Sequence, residues 1–198
     1  MCSSDLQPIP ARPTESEPLP RDAATLIDVL DWHVAQHGDR EHIRFLAGDD
    51  DVQPLTYAAL RSGAAEVAAG LRARGVQPGN TVGMMLPTSL EFFFAFFGAL
   101  LAGAIPVPIY PPARREQLEQ LLRRQAVTLD NAEAVLLITV PEAQVAARFL
   151  RAKARRLAHV VTVPELRTPA AAIAPPPLSG QDLAFLQYTS GSTGAPKG

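Results

Sequence analysis

Hydrophobic and polar positions change their spacing several times along the chain, and each change predicts a new element. Apolar residues recur at helical spacing over 25–37, after a threonine suited to capping a helix and before a glycine that ends it. The runs 42–47 and 52–55 flank a Gly-Asp-Asp-Asp turn and predict a β-hairpin. Thr56 then caps a second helix, which is expected to end at Gly75.

From residue 81 onward, short apolar runs alternate with longer amphipathic ones. The run 134–139 is continuously apolar, as expected of a strand buried on both faces. The run 105–110 contains two prolines, which favours a sheet edge or a strand end. We expect Thr88 to cap the phenylalanine-rich helix. The alternation predicts an α/β fold with a parallel sheet and right-handed crossovers. Strands are predicted at 81–86, 105–110, 134–139, 159–163 and 183–188, helices at 90–102, 114–128 and 141–156, and an irregular loop at 167–179.

Composition narrows the class of protein. The 198 residues are 47% hydrophobic, enough for one ordinary core, and the net charge of −2 argues against general binding to nucleic acid or anionic membranes. The apolar stretch 90–104 carries Glu91 and is shorter than the roughly 20 residues of a transmembrane helix, so we predict a buried helix. A single cysteine, Cys2, fits a reducing cytoplasmic location.

The first 24 residues are polar and proline-rich and contain no signal peptide, so we expect 1–24 to be a disordered lead. Residues 1–6 resemble translated sequencing-adapter sequence. If that hypothesis holds, Cys2 carries no information about the redox compartment.

The final residues, Tyr-Thr-Ser-Gly-Ser-Thr-Gly-Ala-Pro-Lys-Gly from Tyr188, carry the strongest chemical signal. Glycines let a backbone approach a bulky anion, and successive free N–H groups form a concave nest for phosphate oxygens. Hydroxyls add donors, and a lysine adds a mobile positive charge. The order of these residues differs from that of the common phosphate loop, Gly-x4-Gly-Lys-Ser/Thr, which disfavours a P-loop protein. A flexible Gly/Ser linker is also disfavoured, because linkers rarely end in Pro-Lys-Gly. The candidate phosphate-binding residues are Thr189, Ser190, Gly191, Ser192, Thr193, Gly194 and Lys197.

This stretch resembles, residue for residue, the phosphate-binding signature of the adenylate-forming superfamily, which includes acyl-CoA synthetases, fatty acyl-AMP ligases, luciferases and peptide-synthetase adenylation domains. Leu55–Leu60 and Leu101–Pro108 resemble two further core motifs in the expected order. Pro108–Arg114 and Leu186–Tyr188 resemble the fatty acyl-AMP ligase branch. The resemblance implies that 25–198 is the N-terminal part of an AMP-binding domain, of parallel-sheet, sandwich type, truncated at the phosphate loop.

The resemblance also implies a reaction. A fatty acid would be activated with ATP and Mg²⁺ as an acyl adenylate, and then passed to the thiol of coenzyme A or of a carrier protein's phosphopantetheine. The candidate loop would hold the β- and γ-phosphates. The other working parts, including the catalytic lysine and a metal-binding glutamate, would come after Gly198, so residues 1–198 alone are expected to be inactive.

Other residues leave alternatives open. His33 and His37 have a zinc-compatible spacing without a third ligand, which favours packing, and His159 is expected to be structural. The five phenylalanines of 92–97 suit an acyl tunnel or simple packing between helix and sheet. Four arginines could bind an acidic helix of a carrier protein: Arg114, Arg115, Arg123 and Arg124. The glutamates interspersed among them favour a helix face exposed to solvent instead. Two other classes remain possible, a non-catalytic nucleotide- or partner-binding relic and an amino-acid adenylation domain.

Overall fold

The computed structural model describes residues 19–46, 51–110, 118–167, 174–190 and 196–197, with the backbone alone at 118–121, 190 and 196–197. The helices are α1 (Leu26–His37), α2 (Tyr57–Ala73), α3 (Leu90–Ala102), α4 (Leu118–Asn131), α5 (Pro141–Arg148) and α6 (Val163–Leu166), and a 3₁₀ turn covers Phe149–Ala152. The strands are β1 (Glu41–Leu46), β2 (Val52–Thr56), β3 (Thr81–Met85), β4 (Ile105–Pro108), β5 (Leu136–Thr139), β6 (His159–Thr162), β7 (Thr189–Ser190) and β8 (Pro196–Lys197).

A four-stranded parallel sheet organises the molecule, in the order β4-β3-β5-β6. The predicted α/β class and parallel sheet are therefore confirmed. All four residues of β5 are buried, and the proline-containing β4 lies at an edge, as its sequence predicts. Strands β1 and β2 pair antiparallel as a separate two-stranded sheet, which confirms the predicted β-hairpin.

Two of the three buried hydrophobic clusters lie on opposite faces of the sheet, and the third contains Leu30, Leu55 and Leu60. Leu136 and Ile138 belong to the cluster with α2 and α3, whereas Leu137 between them belongs to the cluster with α4 and α5. Successive side chains of a strand point to opposite faces, so one apolar run supplies both clusters. Glycine permits close packing beneath the sheet, since a Cβ at Gly83 would lie 2.5 Å from a methyl group of Leu129.

Helix caps follow the sequence with one correction. The Thr25 hydroxyl accepts the Asp28 N–H at 3.1 Å and the Asp28 carboxylate accepts the Thr25 N–H at 2.9 Å, which forms a capping box at α1. Thr56 caps α2 as predicted. The prediction of Thr88 as the cap of α3 is wrong: Ser89 fills this position, because its hydroxyl accepts the Phe92 N–H at 3.2 Å.

Two predicted helix boundaries also shift. The helix predicted over 141–156 ends at Arg148 and tightens into the 3₁₀ turn, after which the Arg155 N–H donates to the Asp130 carboxylate at 3.0 Å. The chain therefore leaves the helix axis to reach the end of α4. The helix predicted over 114–128 extends to Asn131, and the part 114–117 lies outside the described residues.

The strand predicted over 183–188 is wrong. This segment has no regular secondary structure, and one backbone hydrogen bond to β4 is described, from the Leu186 N–H to the Pro106 carbonyl at 3.1 Å. Ile105 and Ile109 direct their N–H groups toward β3, so the alternate positions, Pro106 and Pro108, face outward. Proline has no N–H, and this edge can therefore accept hydrogen bonds but cannot complete a ladder.

Candidate phosphate-binding site

A short hairpin frames the candidate phosphate loop. Strands β7 and β8 pair antiparallel, with Thr189 opposite Lys197 and Ser190 opposite Pro196. The pairing brings two hydroxyl-bearing residues and the predicted cationic residue to one place in the fold. The other four candidate residues lie outside the described residues: Gly191, Ser192, Thr193 and Gly194.

Tyr188 anchors the chain immediately before this hairpin. Its hydroxyl donates a hydrogen bond of 2.6 Å to the side-chain oxygen of Asn131, at the end of α4. Its ring and Leu186 pack against the cluster that α4 and α5 form beneath the sheet. Burial raises the pKa of the Tyr188 hydroxyl, so the phenol stays protonated at neutral pH and keeps its donor.

Phe185 packs on the opposite side of the segment 183–188 from Leu186 and Tyr188. Its ring meets that of Phe96 on α3 with centroids 5.9 Å apart. Leu186 and Tyr188 thus pack on one side and Phe185 on the other, in the period-two order of a strand although the ladder is missing. Sequence reasoning missed the roles of Tyr188 and Asn131; the spacing of Leu186 and Tyr188 was the available signal.

The α3 phenylalanines take part in packing. Phe92, Phe94, Phe96 and Phe97 pack against the cluster between α2, α3 and the sheet. A Cβ on Gly63 of α2 would lie 2.4 Å from the Phe94 ring, which shows how closely the two helices approach. Packing therefore accounts for these rings, and an acyl tunnel remains a prediction without support from these contacts.

The paired histidines form an aromatic cluster. His33 Nδ1 lies 2.7 Å from His37 Nε2, and the rings of His33 and His42 stack on the two sides of Tyr57 at 4.4 and 4.3 Å. Burial, and next the charge of His33, lowers the pKa of His42. Within the described ranges, no group of three or more His, Cys, Asp or Glu residues is placed to hold a metal ion. The stacked rings of His33, Tyr57 and His42 favour packing as the interpretation of the histidine pair.

An apolar cavity lies apart from the phosphate hairpin. The cavity, of about 350 Å³, lies between the first turn of α1, the end of α3 and residues 178–184. Its charged lining residue is Asp182, whose carboxylate already accepts the Ser179 N–H at 2.6 Å, so the cavity does not suit a phosphate or a carboxylate.

Of the four arginines that could bind a carrier protein, Arg123 and Arg124 are exposed on α4. Arg114 and Arg115 lie outside the described residues.

Comparison with known proteins decides the family. The family described as AMP-binding enzyme matches residues 30–198, which include the hairpin and the candidate loop. The chain belongs to the AMP-binding enzyme family. The resemblance seen in the sequence motifs is thereby confirmed.

Relatives in this family come from two branches. The long-chain-fatty-acid–AMP ligase FadD32 of Mycolicibacterium smegmatis is 31% identical over 185 residues, which are 89% of this chain and 29% of the ligase. The pyochelin synthetase PchE of Pseudomonas aeruginosa is 40% identical over 149 residues, 74% of this chain and 9% of the synthetase. The chain is thus similar both to a fatty-acid–AMP ligase and to a pyochelin synthetase.

A solved structure in the same family supports the fold. The fatty acyl-adenylate ligase of L. pneumophila, in complex with acyl adenylate and pyrophosphate, matches with a TM-score of 0.73 and 28% identity, over 90% of this chain and 30% of that protein. This chain therefore spans about 30% of the length of that ligase.

Among the described residues, none of the helices has the length and apolar character needed to cross a membrane.

Proposed function

We propose that the chain carries the triphosphate-binding loop of an enzyme that activates a fatty acid as an acyl adenylate. The observation that carries the proposal is the β7–β8 hairpin, which pairs Thr189 with Lys197 inside a signature of AMP-binding enzymes. The assigned phosphate-binding residues are those of the motif: Thr189, Ser190, Gly191, Ser192, Thr193, Gly194 and Lys197.

The first half-reaction joins the acid to AMP. A carboxylate oxygen attacks the α-phosphorus of ATP, an O–P bond forms, and the bond to the bridging oxygen of the β-phosphate breaks to release pyrophosphate. Hydroxyls and backbone N–H groups of the loop would hold the β- and γ-phosphates, and Lys197 would stabilise the charge that develops on the departing pyrophosphate. Mg²⁺, when bound with ATP, neutralises phosphate charge.

The second half-reaction transfers the acyl group. A thiolate attacks the acyl carbonyl, the C–S bond forms, and the C–O bond to the phosphate of the adenylate breaks to release AMP. The acceptor is coenzyme A or the phosphopantetheine of an acyl carrier protein, and a cytoplasmic location would supply ATP and either thiol. The 198 residues alone are not expected to catalyse ATP–pyrophosphate exchange, since they match less than a third of the fatty-acid ligases.

Amino-acid activation is the second candidate function. The 35% identity over 185 residues, 90% of this chain, to the phosphinothricin tripeptide synthetase PhsC of Streptomyces viridochromogenes favours it, whereas the 31% identity to FadD32 over 89% of the chain favours a fatty acid. The Pro-Ile-Tyr-Pro-Pro stretch that starts at Pro108 and the Leu-Gln-Tyr of 186–188 add support for the fatty-acid branch.

ATP–pyrophosphate exchange by an enzyme that includes these 198 residues tests both candidates. Fatty acids of graded length and the standard amino acids are offered separately, and exchange that depends on a fatty acid supports the proposal. The double variant Thr193→Ala/Lys197→Ala should lose about a hundredfold or more in exchange rate, because it removes two phosphate contacts. Lys153→Ala is the matched control. Wild-type turnover by the double variant would overturn the assignment of the loop.

A further inference from the structure

Helix α5 and the turn after it present apolar side chains to solvent. Ala147 and Leu150 are buried beneath the sheet, as an amphipathic helix requires. On the outer side, where polar residues are expected, Val145 is 69% exposed and Phe149 is 72% exposed. Phe149 keeps right-handed helical dihedrals, so these two residues, four positions apart, lie on the same side of the helix.

The neighbouring helix extends this surface. The 3₁₀ turn packs against α4, whose Val127 is 58% exposed. Val127 and Lys153 line one open groove between α4 and the residues that follow the turn. We define the basic-apolar face by six of the side chains exposed on these elements, where the acidic Glu142 of α5 is exposed as well: Val127, Val145, Arg148, Phe149, Arg151 and Lys153.

The same region concentrates positive charge. Residues 122–156 contain seven Lys and Arg against three Asp and Glu, although the whole chain has a net charge of −2. Two of the acids are already paired, Asp130 with Arg155 at 3.1 Å and Glu133 with Arg156 at 2.5 Å. In the part of the chain that the structure describes, Arg148, Arg151 and Lys153 form no ion pair.

We propose that the basic-apolar face docks reversibly on an anionic lipid bilayer. A bilayer supplies both complements at once, an anionic surface for Arg148, Arg151 and Lys153 and an apolar layer for Phe149. Long cationic side chains can reach headgroups while their stems and the neighbouring apolar residues lie deeper. The protruding Phe149 suits insertion into lipid better than it suits a protein helix, which would require a groove lined by apolar residues.

Vesicle co-sedimentation of the chain tests this proposal. Vesicles of phosphatidylcholine alone are compared with vesicles that contain about 30% phosphatidylglycerol, at roughly 0.1 and 0.5 M salt. We expect binding to the anionic vesicles only, with a steep loss at the higher salt concentration. Equal binding to both vesicles, or binding to neither, would overturn the proposal. Tighter binding to soluble polyglutamate than to anionic vesicles would also overturn it and would favour an acidic protein.

Variants test whether this face is responsible. Arg148→Gln/Arg151→Gln/Lys153→Gln should weaken vesicle binding about a hundredfold, at about fivefold for each cation, and Phe149→Ser should weaken it about fivefold or more. Arg21→Gln and Leu46→Ser alter exposed residues elsewhere and should bind as the wild type does. Circular dichroism establishes that each variant is folded. Wild-type binding by the triple variant or by Phe149→Ser would contradict the assignment.

The basic-apolar face contains none of the phosphate-loop residues, so vesicle binding does not depend on the loop. Thr193→Ala/Lys197→Ala should bind vesicles like the wild type, so a failure of the phosphate-loop assignment leaves the vesicle result intact. If both proposals hold, the enzyme would bind at the surface where fatty acids partition.

Discussion

The Tyr188 hydroxyl and the Asn131 side chain form a hydrogen bond of 2.6 Å across 57 residues of sequence. The bond ties the residue that precedes the phosphate hairpin to the end of α4. Because the segment before Tyr188 makes a single described backbone hydrogen bond to β4, this side-chain contact supplies part of the positioning that a full strand would provide.

Tyr188→Phe should loosen the hairpin without disturbing the core, since the ring stays packed. We expect a loss of about 1 kcal/mol in the free energy of unfolding and faster amide exchange over 189–197, measured by hydrogen–deuterium exchange mass spectrometry. Tyr110→Phe is the matched control, because Tyr110 is 78% exposed. Unchanged exchange over 189–197 would show that the hydrogen bond does not position the hairpin.

Acid should destabilise the protein through His42. Burial lowers the pKa of His42 below its ordinary 6.5 in the folded state, so the unfolded state takes up the proton first as the pH falls. Stability should therefore decrease from about pH 6.5 downward, until the folded pKa is passed. Urea unfolding at several pH values should show a smaller decrease for His42→Gln. The control is His159→Gln, and an equal decrease in all three proteins would exclude His42.

Glu165 stabilises the short helix α6. Its carboxylate accepts the Thr162 N–H at 2.7 Å, the Thr162 hydroxyl at 3.1 Å and the Gln144 amide at 2.8 Å. The Thr162 backbone bond, first among several causes, lowers the pKa of Glu165.

Glu165→Ala should therefore cost about 1 kcal/mol at neutral pH, measured by chemical unfolding. The contribution is present above the ordinary pKa of 4.5 and is lost as the pH falls through the lower folded value, so the difference from wild type should narrow in acid. Asp22→Ala, an exposed substitution, is the control. A cost that persists at low pH would assign the effect to packing instead.

Gly70 permits the contact between α2 and α6. A Cβ at this position would lie 2.0 Å from the Leu166 carbonyl oxygen, a backbone atom that cannot rotate away. Gly70→Ala should destabilise the protein by about 2 kcal/mol or more despite the higher helix propensity of alanine. Ser62→Ala, on the exposed side of α2, should be neutral or slightly stabilising in the same thermal unfolding assay. Equal stabilities of the two variants would contradict the close packing.

Local sequence patterns predicted most of the helices and strands of the parallel sheet, and the motifs indicated the family that the comparison with known proteins confirmed. The caps at Thr25 and Thr56, the bounds of α3 and the buried run of β5 follow from interactions within a few residues and from side-chain period, which can be read along one chain. The phosphate motif was found in the same way, because its chemistry lies in consecutive residues.

Tertiary structure decided the features that join distant residues. Pro106 and Pro108 prevent a ladder only because they face the outer edge of β4, and spacing alone does not reveal which edge is open. The contact of Tyr188 with Asn131 and the gathering of apolar and cationic side chains from α4 and α5 likewise depend on how the elements pack. A side chain's partners across the fold are set by packing geometry, which the local spacing of residues does not encode.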